Sequence, residues 1–256
     1  MRFEVGKMDI VTRPKVTLLA LQDFHKPDHI TWETDSNVAG EMLIEFAGRN
    51  CYQSWKNPAG KTNQEYLHHI LEVGHGSVLE HFTATFLFEH VSRSFTHELV
   101  RHRAGWAYSQ LSQRYVDESS APFIEPDCIA QDPDAHQRWA ECVDQCQQTY
   151  AWLVERLKDK FAEVEDKTLR RKLARQAARS ILPNAVETKI VATANARAWR
   201  HFIEMRATAD ADVEIRAVAI EVLKVLREKS SNLFGDYEIR KLADGTEVAE
   251  THHRKV

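Results

Sequence analysis

Residues 82–115 read FTATFLFEHVSRSFTHELVRHRAGWAYSQLSQRY, and this stretch indicates the class of the fold. Apolar residues alternate over Phe82–Glu89, which is typical of a strand. A helix is predicted to begin near Ser92 or Ser94 and to end close to Arg101. The order of elements along the whole chain is irregular and does not repeat strand–helix–strand units. The sequence therefore favours the α+β class.

Patterns of the same kind predict the elements on either side of this stretch. A strand is predicted over residues 16–21, and helices are predicted over residues 36–52, 62–74, 139–161, 167–180, 195–207 and 212–229. Asn57-Pro58 predicts a loop between two of these helices, and the prolines at 122, 126 and 133 indicate an irregular stretch. We expect a single domain over residues 1–240, followed by a polar tail, residues 241–256, whose composition is compatible with disorder.

The composition is that of a globular protein of ordinary kind, with 43% apolar and 28% charged residues among 256. No stretch approaches the roughly 18 apolar residues that a membrane-spanning helix needs. The formal net charge of −4 argues against a protein that coats DNA or RNA, although it allows a small basic pocket. Met1–Lys15 shows no secretory signal, so the expected compartment is the cytoplasm, with neither membrane nor nucleic acid as partner.

The four cysteines do not form a CxxC pair and do not indicate a disulfide framework in a chain of this length. Cys142 and Cys146 lie one helical turn apart. They are interpreted as small core residues in preference to metal ligands.

Residues 101–115 carry the most unusual chemistry of the chain. Three arginines, one histidine, two serines and two glutamines stand among three aromatic rings. Arginine offers a fixed fork of donors to phosphate oxygens, and the neutral side chains and rings can bind a base or another planar ligand. This composition indicates a site for an anion attached to a ring. The alternative is a solvated basic turn whose aromatic side chains belong to the core.

Five segments occur in the order known from one enzyme family. They are Ala47–Tyr52 (AGRNCY), Gly74–His81 (GHGSVLEH), Arg101–Tyr115 with RHR, eight residues and then Ser-x-Arg-Tyr, Ala178–Pro183 (ARSILP), and Asn195–Arg197 with Arg206 downstream. Together they resemble the motifs of the flavin-dependent thymidylate synthases. The resemblance spans residues 47 to 206, which is most of the chain.

The resemblance implies the family's fold, a small antiparallel sheet packed with several long helices. It also implies reductive methylation of dUMP to dTMP, in de novo dTMP biosynthesis. The implied carbon donor is methylenetetrahydrofolate, and the implied hydride donor is FADH2, which NADPH regenerates. The implied assembly is a homotetramer whose active sites combine residues of several subunits.

The resemblance further implies roles for individual residues. FAD would contact Cys51, His75, Ser77, Arg101, His102, Arg103, Gln110, Asn195, Arg197 and His201. The nucleotide dUMP would contact Glu98, Leu99, Val100, Arg101, Gln110, Leu111, Ser112, Gln113, Arg114, Arg179 and Arg206. Arg114 and Arg179 are the candidate phosphate partners, and Arg206 is the candidate catalytic residue.

Several of these roles have a structural alternative. The cations of Arg101–Arg103 could compensate a helix dipole. Cys51 and Ser77 could serve packing or capping alone. His75 could be a core histidine bonded to backbone, and Arg206 could be an arginine on a helix surface.

The catalytic assignment of Arg206 has a chemical basis. Asn195 and Arg206 are eleven residues apart, about three helical turns, so both can face one cleft. A guanidinium at the N3/O2 edge of uracil would stabilise the charge that makes C5 nucleophilic, without a covalent enzyme adduct. Ser112 is therefore expected to bind by hydrogen bonds; the alternative is a nucleophile, which needs an adjacent base.

The sequence departs from the family's commonest pattern in three places. The insert between RHR and Ser112 is eight residues long, a length that the family allows. Glu98 stands where glutamine is frequent, and it is expected to face the base, the ribose or a neighbouring arginine because it would repel a phosphate. Ala107 stands where serine is frequent, so one polar contact is expected to be absent.

Two other classes of protein compete with this interpretation. The first alternative is a metal enzyme, because the chain has thirteen histidines. No HExxH motif and no Cys/His cluster arranges them as metal ligands, and no metal is expected. The second alternative is a nucleic-acid-binding module built on the basic and aromatic residues 101–115. The negative net charge of the chain and the lack of other basic segments argue against it.

Overall fold

The computed structural model describes residues 9–56 and 60–254. The predicted Asn57-Pro58 loop, residues 1–8 of the N-terminal segment and residues 255–256 of the tail lie outside the described residues. The strands are β1 (Ile10–Val11), β2 (Lys15–Leu21), β3 (Thr83–Ser92), β4 (Trp106–Gln110), β5 (Phe123–Ile124), β6 (Glu187–Asn195), β7 (Glu238–Lys241) and β8 (Glu247–Glu250). The α-helices are α1 (Ala39–Tyr52), α2 (Asn63–Glu72), α3 (Arg93–Leu99), α4 (Asp127–Ala130), α5 (Pro133–Lys160), α6 (Lys167–Ala178), α7 (Ala196–Arg206), α8 (Val213–Lys229) and α9 (Ser231–Phe234).

The strands form small sheets between these helices, and the fold is α+β as predicted. Four strands pair in the order β2-β3-β6-β4. Strands β7 and β8 form an antiparallel pair. The short strands β1 and β5 pair in parallel, which the expectation of an antiparallel sheet did not include.

The chain divides into two compact units. The first comprises the described residues up to Lys15, Phe88–His97 and Ser109–Ile190. The second comprises Val16–Leu87, Glu98–Tyr108 and the described residues from Val191 onward. The core of the first unit includes Phe123, Val143, Val186, Tyr150 and Val154. The core of the second includes Phe82, Phe86, Trp199, Phe202 and Phe234.

Local signals placed several helix boundaries correctly. Thr62 accepts a hydrogen bond from the backbone of Glu65, whose side chain accepts one from the backbone of Thr62, so the predicted capping box begins α2. Helix α1 begins at Ala39, three residues later than expected, because the Ser36 hydroxyl accepts the Val38 N–H and donates to Glu41 in a turn that precedes the helix.

Three expectations were wrong. Pro133 does not continue an irregular stretch but opens α5, because its missing N–H costs nothing at the first helical position and Asp132 caps the helix. Cys142 is exposed and Cys146 is only partly buried, so neither is a core residue.

The third wrong expectation concerns the C-terminal tail. Residues 241–250 belong to the β7–β8 hairpin, and the disorder that the polar composition allowed does not occur there. Val248 and Ala249 are buried, and the Ala249 N–H donates to the Ala207 carbonyl, so this segment packs at the end of α7.

Candidate active site

Arg206 lies in the last turn of α7 and is held by two side chains of the second unit. Its Nη1 donates to Glu98 Oε2 at 2.7 Å, and its Nε donates to His102 Nε2 at 3.1 Å. Glu98 lies at the end of α3, and His102 follows in the turn after it. Glu98 was expected to face the base, the ribose or a neighbouring arginine, and the structure places it against an arginine, Arg206. Three residues that were predicted separately are thus brought together.

His102 is a neutral imidazole in this arrangement. Because Nε2 accepts a hydrogen bond from Arg206, its ring proton must be on Nδ1. The ring is buried, with 7% of the residue exposed. Burial, together with the charge of Arg206 and the proximity of His201, lowers the pKa of His102 to about 4. The neutral ring can therefore orient Arg206 without repelling it.

The depressed pKa of His102 predicts a loss of stability in acid. Since His102 resists protonation in the folded chain but not in the unfolded one, unfolding takes up a proton between about pH 6.5 and 4. Folding stability should fall by about 2–3 kcal/mol from pH 7 to pH 4.5 through this group alone. Urea unfolding at both pH values tests it. His102→Gln should show a smaller fall over the same interval, and an equal fall would contradict the assignment.

Aromatic rings hold the turn that carries His102. Trp106 stacks on Tyr108 with an interplanar angle of 13° and packs edge-on against Trp199, with centroids 4.4 Å apart. The Tyr108 hydroxyl donates to the carbonyls of Leu99 and His102, at 2.9 and 2.8 Å. Burial raises the pKa of Tyr108 above its ordinary value, so the hydroxyl remains a donor. Two of the rings in the basic stretch therefore have a packing role.

Asn195 begins α7 and faces the same turn. Its Oδ1 accepts the Ala198 N–H at 2.9 Å, which is an N-cap contact. Gly105 has φ of +77°, and a Cβ at that residue would lie 2.7 Å from Asn195 Nδ2. The Nδ2 atom of Asn195 therefore lies against the backbone that follows RHR.

Gly105→Ala should be clearly destabilising. Alanine is strained at positive φ, and its Cβ would displace the cap of α7, so we expect a loss of about 2–4 kcal/mol. Gly245→Ala is the matched control, because Gly245 has φ of +82° with nothing within 4 Å of the added Cβ. The control should lose only about 1–2 kcal/mol. Chemical unfolding of both variants gives the comparison; equal losses would contradict the contact.

The Gly74–His81 segment lies next to the start of α7. Arg197 donates to Glu80 at 2.6 Å, and a Cβ on Gly76 would lie 3.1 Å from Arg197 Nε. Two of the five motif segments are therefore neighbours in the second unit.

The structural alternatives proposed for several residues are not supported. His75 and Cys51 are exposed, so His75 is not a core histidine and Cys51 does not serve packing. Ser77 is exposed, and its side chain caps no helix. The dipole alternative for Arg101 and Arg103 is not among those excluded: helix α3 ends at Leu99, so both exposed arginines lie directly after its C-terminus.

One expected substrate contact is a core residue. Leu99 has 0% exposure, so its side chain has no surface for dUMP, while its neighbour Val100 is exposed. The Leu99 carbonyl accepts hydrogen bonds from Tyr108 and from the His102 backbone.

The candidate residues for binding dUMP at the end of β4 and directly after it belong to the first unit. Gln110 Nε2 donates to Thr96 and Thr188, and the Leu111 N–H donates to the Lys189 carbonyl, so these donors are already used. Gln113 is buried, and its Nε2 has no partner in the structure; the same holds for Nε of Arg114. Both are therefore buried donors for which the structure shows no acceptor.

Ser112 and Arg179 also belong to the first unit. Among the described residues, no histidine or carboxylate hydrogen-bonds the Ser112 hydroxyl. Arg179 opens a 3-10 turn, Arg179–Ile181, directly after α6.

Two general findings concern metals and membranes. In the part of the chain that the structure describes, no group of three or more His, Cys, Asp or Glu side chains is arranged to hold a metal ion. No helix among these residues is both long and apolar enough to cross a membrane.

Comparison with known proteins connects the site to a family. The sequence model described as thymidylate synthase complementing protein matches residues 34–230. Proteins named flavin-dependent thymidylate synthase, from Mycobacteroides abscessus, Mycobacterium avium and Mycobacterium tuberculosis, are each 52% identical to the chain over 237 residues. The alignments cover 92% of this chain and 94% of each relative. All the candidate site residues, from Cys51 to Arg206, fall inside the matched range.

Proposed function

The chain belongs to the family of flavin-dependent thymidylate synthases, the thymidylate synthase complementing proteins, and on that premise we propose that it converts dUMP to dTMP with a flavin as hydride carrier. The observation that carries the chemical part of the proposal is the arrangement around Arg206. A half-buried guanidinium is oriented by a carboxylate and a neutral imidazole, at 2.7 and 3.1 Å.

Arg206 is proposed to act on the pyrimidine. Its guanidinium stays charged near neutral pH and can donate hydrogen bonds to O2 of uracil and, once N3 has lost its proton, to N3 as well. Charge that develops there when N3 loses its proton is stabilised in place, which makes C5 nucleophilic. Ser112 then has only to bind the substrate.

FAD, when bound and in its reduced form FADH2, would supply the hydride that completes the methyl group. The residues fit such a ligand: Arg101 and Arg103 are exposed, and neither pairs with a carboxylate among the described residues. Such guanidinium groups suit a diphosphate in a chain with nine glycines and no glycine-rich phosphate loop. The proposed flavin set is completed by Cys51, His75, Ser77, His102, Gln110, Asn195, Arg197 and His201.

The finer assignments are also proposals. Methylenetetrahydrofolate is the carbon donor and NADPH reduces the flavin. Arg114 and Arg179 bind the phosphate of dUMP. The chain assembles as a homotetramer with shared active sites and works in the cytoplasm.

Purified protein tests the proposal directly. It should be yellow, its flavin absorption should bleach when NADPH is added, and it should form dTMP from dUMP and methylenetetrahydrofolate. A folded protein that binds no FAD, or that binds FAD and forms no dTMP, would overturn it.

A further inference from the structure

Arg175 of α6 holds the turn that follows Ser112. Its Nη1 donates to the Tyr115 carbonyl at 2.6 Å, and its Nη2 donates to Asp117 Oδ2 at 2.8 Å. The turn is also closed within itself, because the N–H groups of Tyr115 and Val116 both donate to the Ser112 carbonyl at 3.0 Å. The guanidinium therefore fixes the end of a short, hydrogen-bonded turn.

The contact between Arg175 and Asp117 is a partly buried ion pair. The side chain of Arg175 is 15% exposed and that of Asp117 is 42% exposed. Burial alone would raise the pKa of Asp117, but the hydrogen bonds that it accepts from Ser119 and from Arg175 lower it, so Asp117 is ionised near neutral pH. The flat fork of an arginine reaches two acceptors at once, which a lysine cannot do in the same geometry.

The backbone of the same residue fixes the start of the turn that carries Arg179. Helix α6 ends at Ala178, and the Arg179 N–H donates to the Arg175 carbonyl. Arg179 then opens the 3-10 turn Arg179–Ile181. Both turns belong to the first unit, and Arg175 is bonded to each of them.

Lys172 supports the same turn from the same face of α6. Its Nζ lies 5.1 Å from the centroid of the Tyr115 ring, three residues before Arg175 along the helix. Tyr115 is exposed, so this cation–π contact is weak compared with the bonds that Arg175 donates. Arg175 is therefore the principal link between α6 and the turn.

Resting on the proposed function, in which Arg114 and Arg179 bind the phosphate of dUMP, we propose that Arg175 is a positioning residue of that phosphate site. Its side chain holds the turn that carries Arg114, and its backbone holds the turn that begins with Arg179, so one residue sets the spacing of the two phosphate partners. In this role Arg175 does not contact dUMP, because both of its Nη atoms already have acceptors.

Loss of the Arg175 side chain should weaken the binding of the phosphate and spare that of the base and sugar. The start of the turn is fixed independently, since the Leu111 N–H donates to the Lys189 carbonyl at 2.8 Å. Without Arg175 the end of the turn is free to move, and Arg114 has to be ordered at the expense of binding energy. Deoxyuridine has the base and sugar of dUMP but no phosphate, so it reports any general loosening of the site.

Arg175→Met in the full chain is the test. Equilibrium dialysis with labelled dUMP gives its Kd, and displacement of the label by deoxyuridine gives that of the nucleoside. We expect the affinity for dUMP to fall about ten- to thirtyfold, as for the loss of a charged hydrogen bond, and that for deoxyuridine to change less than about twofold. In steady-state turnover the KM for dUMP should rise by a similar factor while kcat stays within about twofold, because the residues that activate the base are unaltered.

A second variant separates geometry from charge and decides the question if Arg175→Met does not fold. Arg175→Lys keeps the cation but cannot bond to the Tyr115 carbonyl and Asp117 from one rigid fork, so its affinity for dUMP should fall about three- to fivefold. Arg171→Met is the matched control, because it removes the same charge from an exposed position on the same helix. Its affinity for dUMP should stay within about twofold of that of the unaltered chain.

Several results overturn the inference. Arg175→Met could bind dUMP as tightly as the unaltered chain, or lose affinity for dUMP and deoxyuridine alike, which indicates a purely structural role. Arg175→Lys could bind dUMP normally, or Arg171→Met could lose as much as Arg175→Met, and either result means that charge alone matters. In all these cases the proposed function stands if the unaltered chain binds FAD and forms dTMP; if the unaltered chain binds no dUMP, both fail.

Discussion

Arg206→Ala is expected to lower the rate of dUMP methylation by about 10²–10³-fold, the usual cost of losing one preorganised donor to a developing anion. The variant should retain FAD, because the proposed flavin residues other than His102 do not depend on Arg206 for a hydrogen bond. The loss should appear in kcat as well as in kcat/KM, since the contact strengthens as N3 loses its proton.

Two further variants separate the charge of Arg206 from its geometry. Arg206→Lys keeps a cation but cannot donate to Glu98 and His102 from one rigid fork, so its rate should be intermediate. Met205→Ala changes the exposed neighbour and should leave the rate unaltered. Single-turnover formation of dTMP in folded, flavin-loaded protein is the measurement. A near-normal rate for Arg206→Ala refutes the catalytic assignment.

Helix boundaries were predictable because their signals are local. The capping box at Thr62 needs only residues within one turn, and Asn195 and Asp212 cap α7 and α8 through side chains next to the helices they begin. The strands β4 and β6 were not predicted, because their pairing joins residues that are far apart in the sequence. Strand β4 lies inside the basic stretch, where its polar residues indicated chemistry and masked the pairing with β6.

The candidate site was only partly predictable. The spacing of Asn195 and Arg206 placed both on one helix, but the meeting of Arg206 with Glu98 joins residues that are 108 positions apart. The neutral state of His102 depends on burial, which comes from tertiary packing.

The β7–β8 hairpin shows why composition misled. The segment is polar, but a few buried contacts hold it in place. One of these contacts joins it to α7. Asp236, just before β7, accepts Nη1 and Nη2 of Arg200, both at 2.7 Å. The segment is ordered by a partner 36 residues away, which no local window contains.

Arg200→Met should destabilise the fold by about 3–5 kcal/mol, the cost of removing one partner of a buried ion pair. Arg200 is 1% exposed, donates also to the Leu233 carbonyl, and lies over the Tyr237 ring at 4.7 Å. Methionine fills part of the volume but leaves the Asp236 carboxylate mostly buried, with Thr251 as its remaining side-chain donor.

Arg197→Ala provides the control on the same helix. Arg197 also pairs with a carboxylate, Glu80, at 2.6 Å, but both side chains are about half exposed, so its loss should cost less than about 1 kcal/mol. Urea unfolding compares the two variants. A similar small loss for both would mean that Arg200 and Asp236 do not hold the hairpin to α7. A large loss for Arg200→Met alone would show that the buried pair of Arg200 and Asp236 holds α7 in place. Arg206 lies on the same helix, six residues after Arg200.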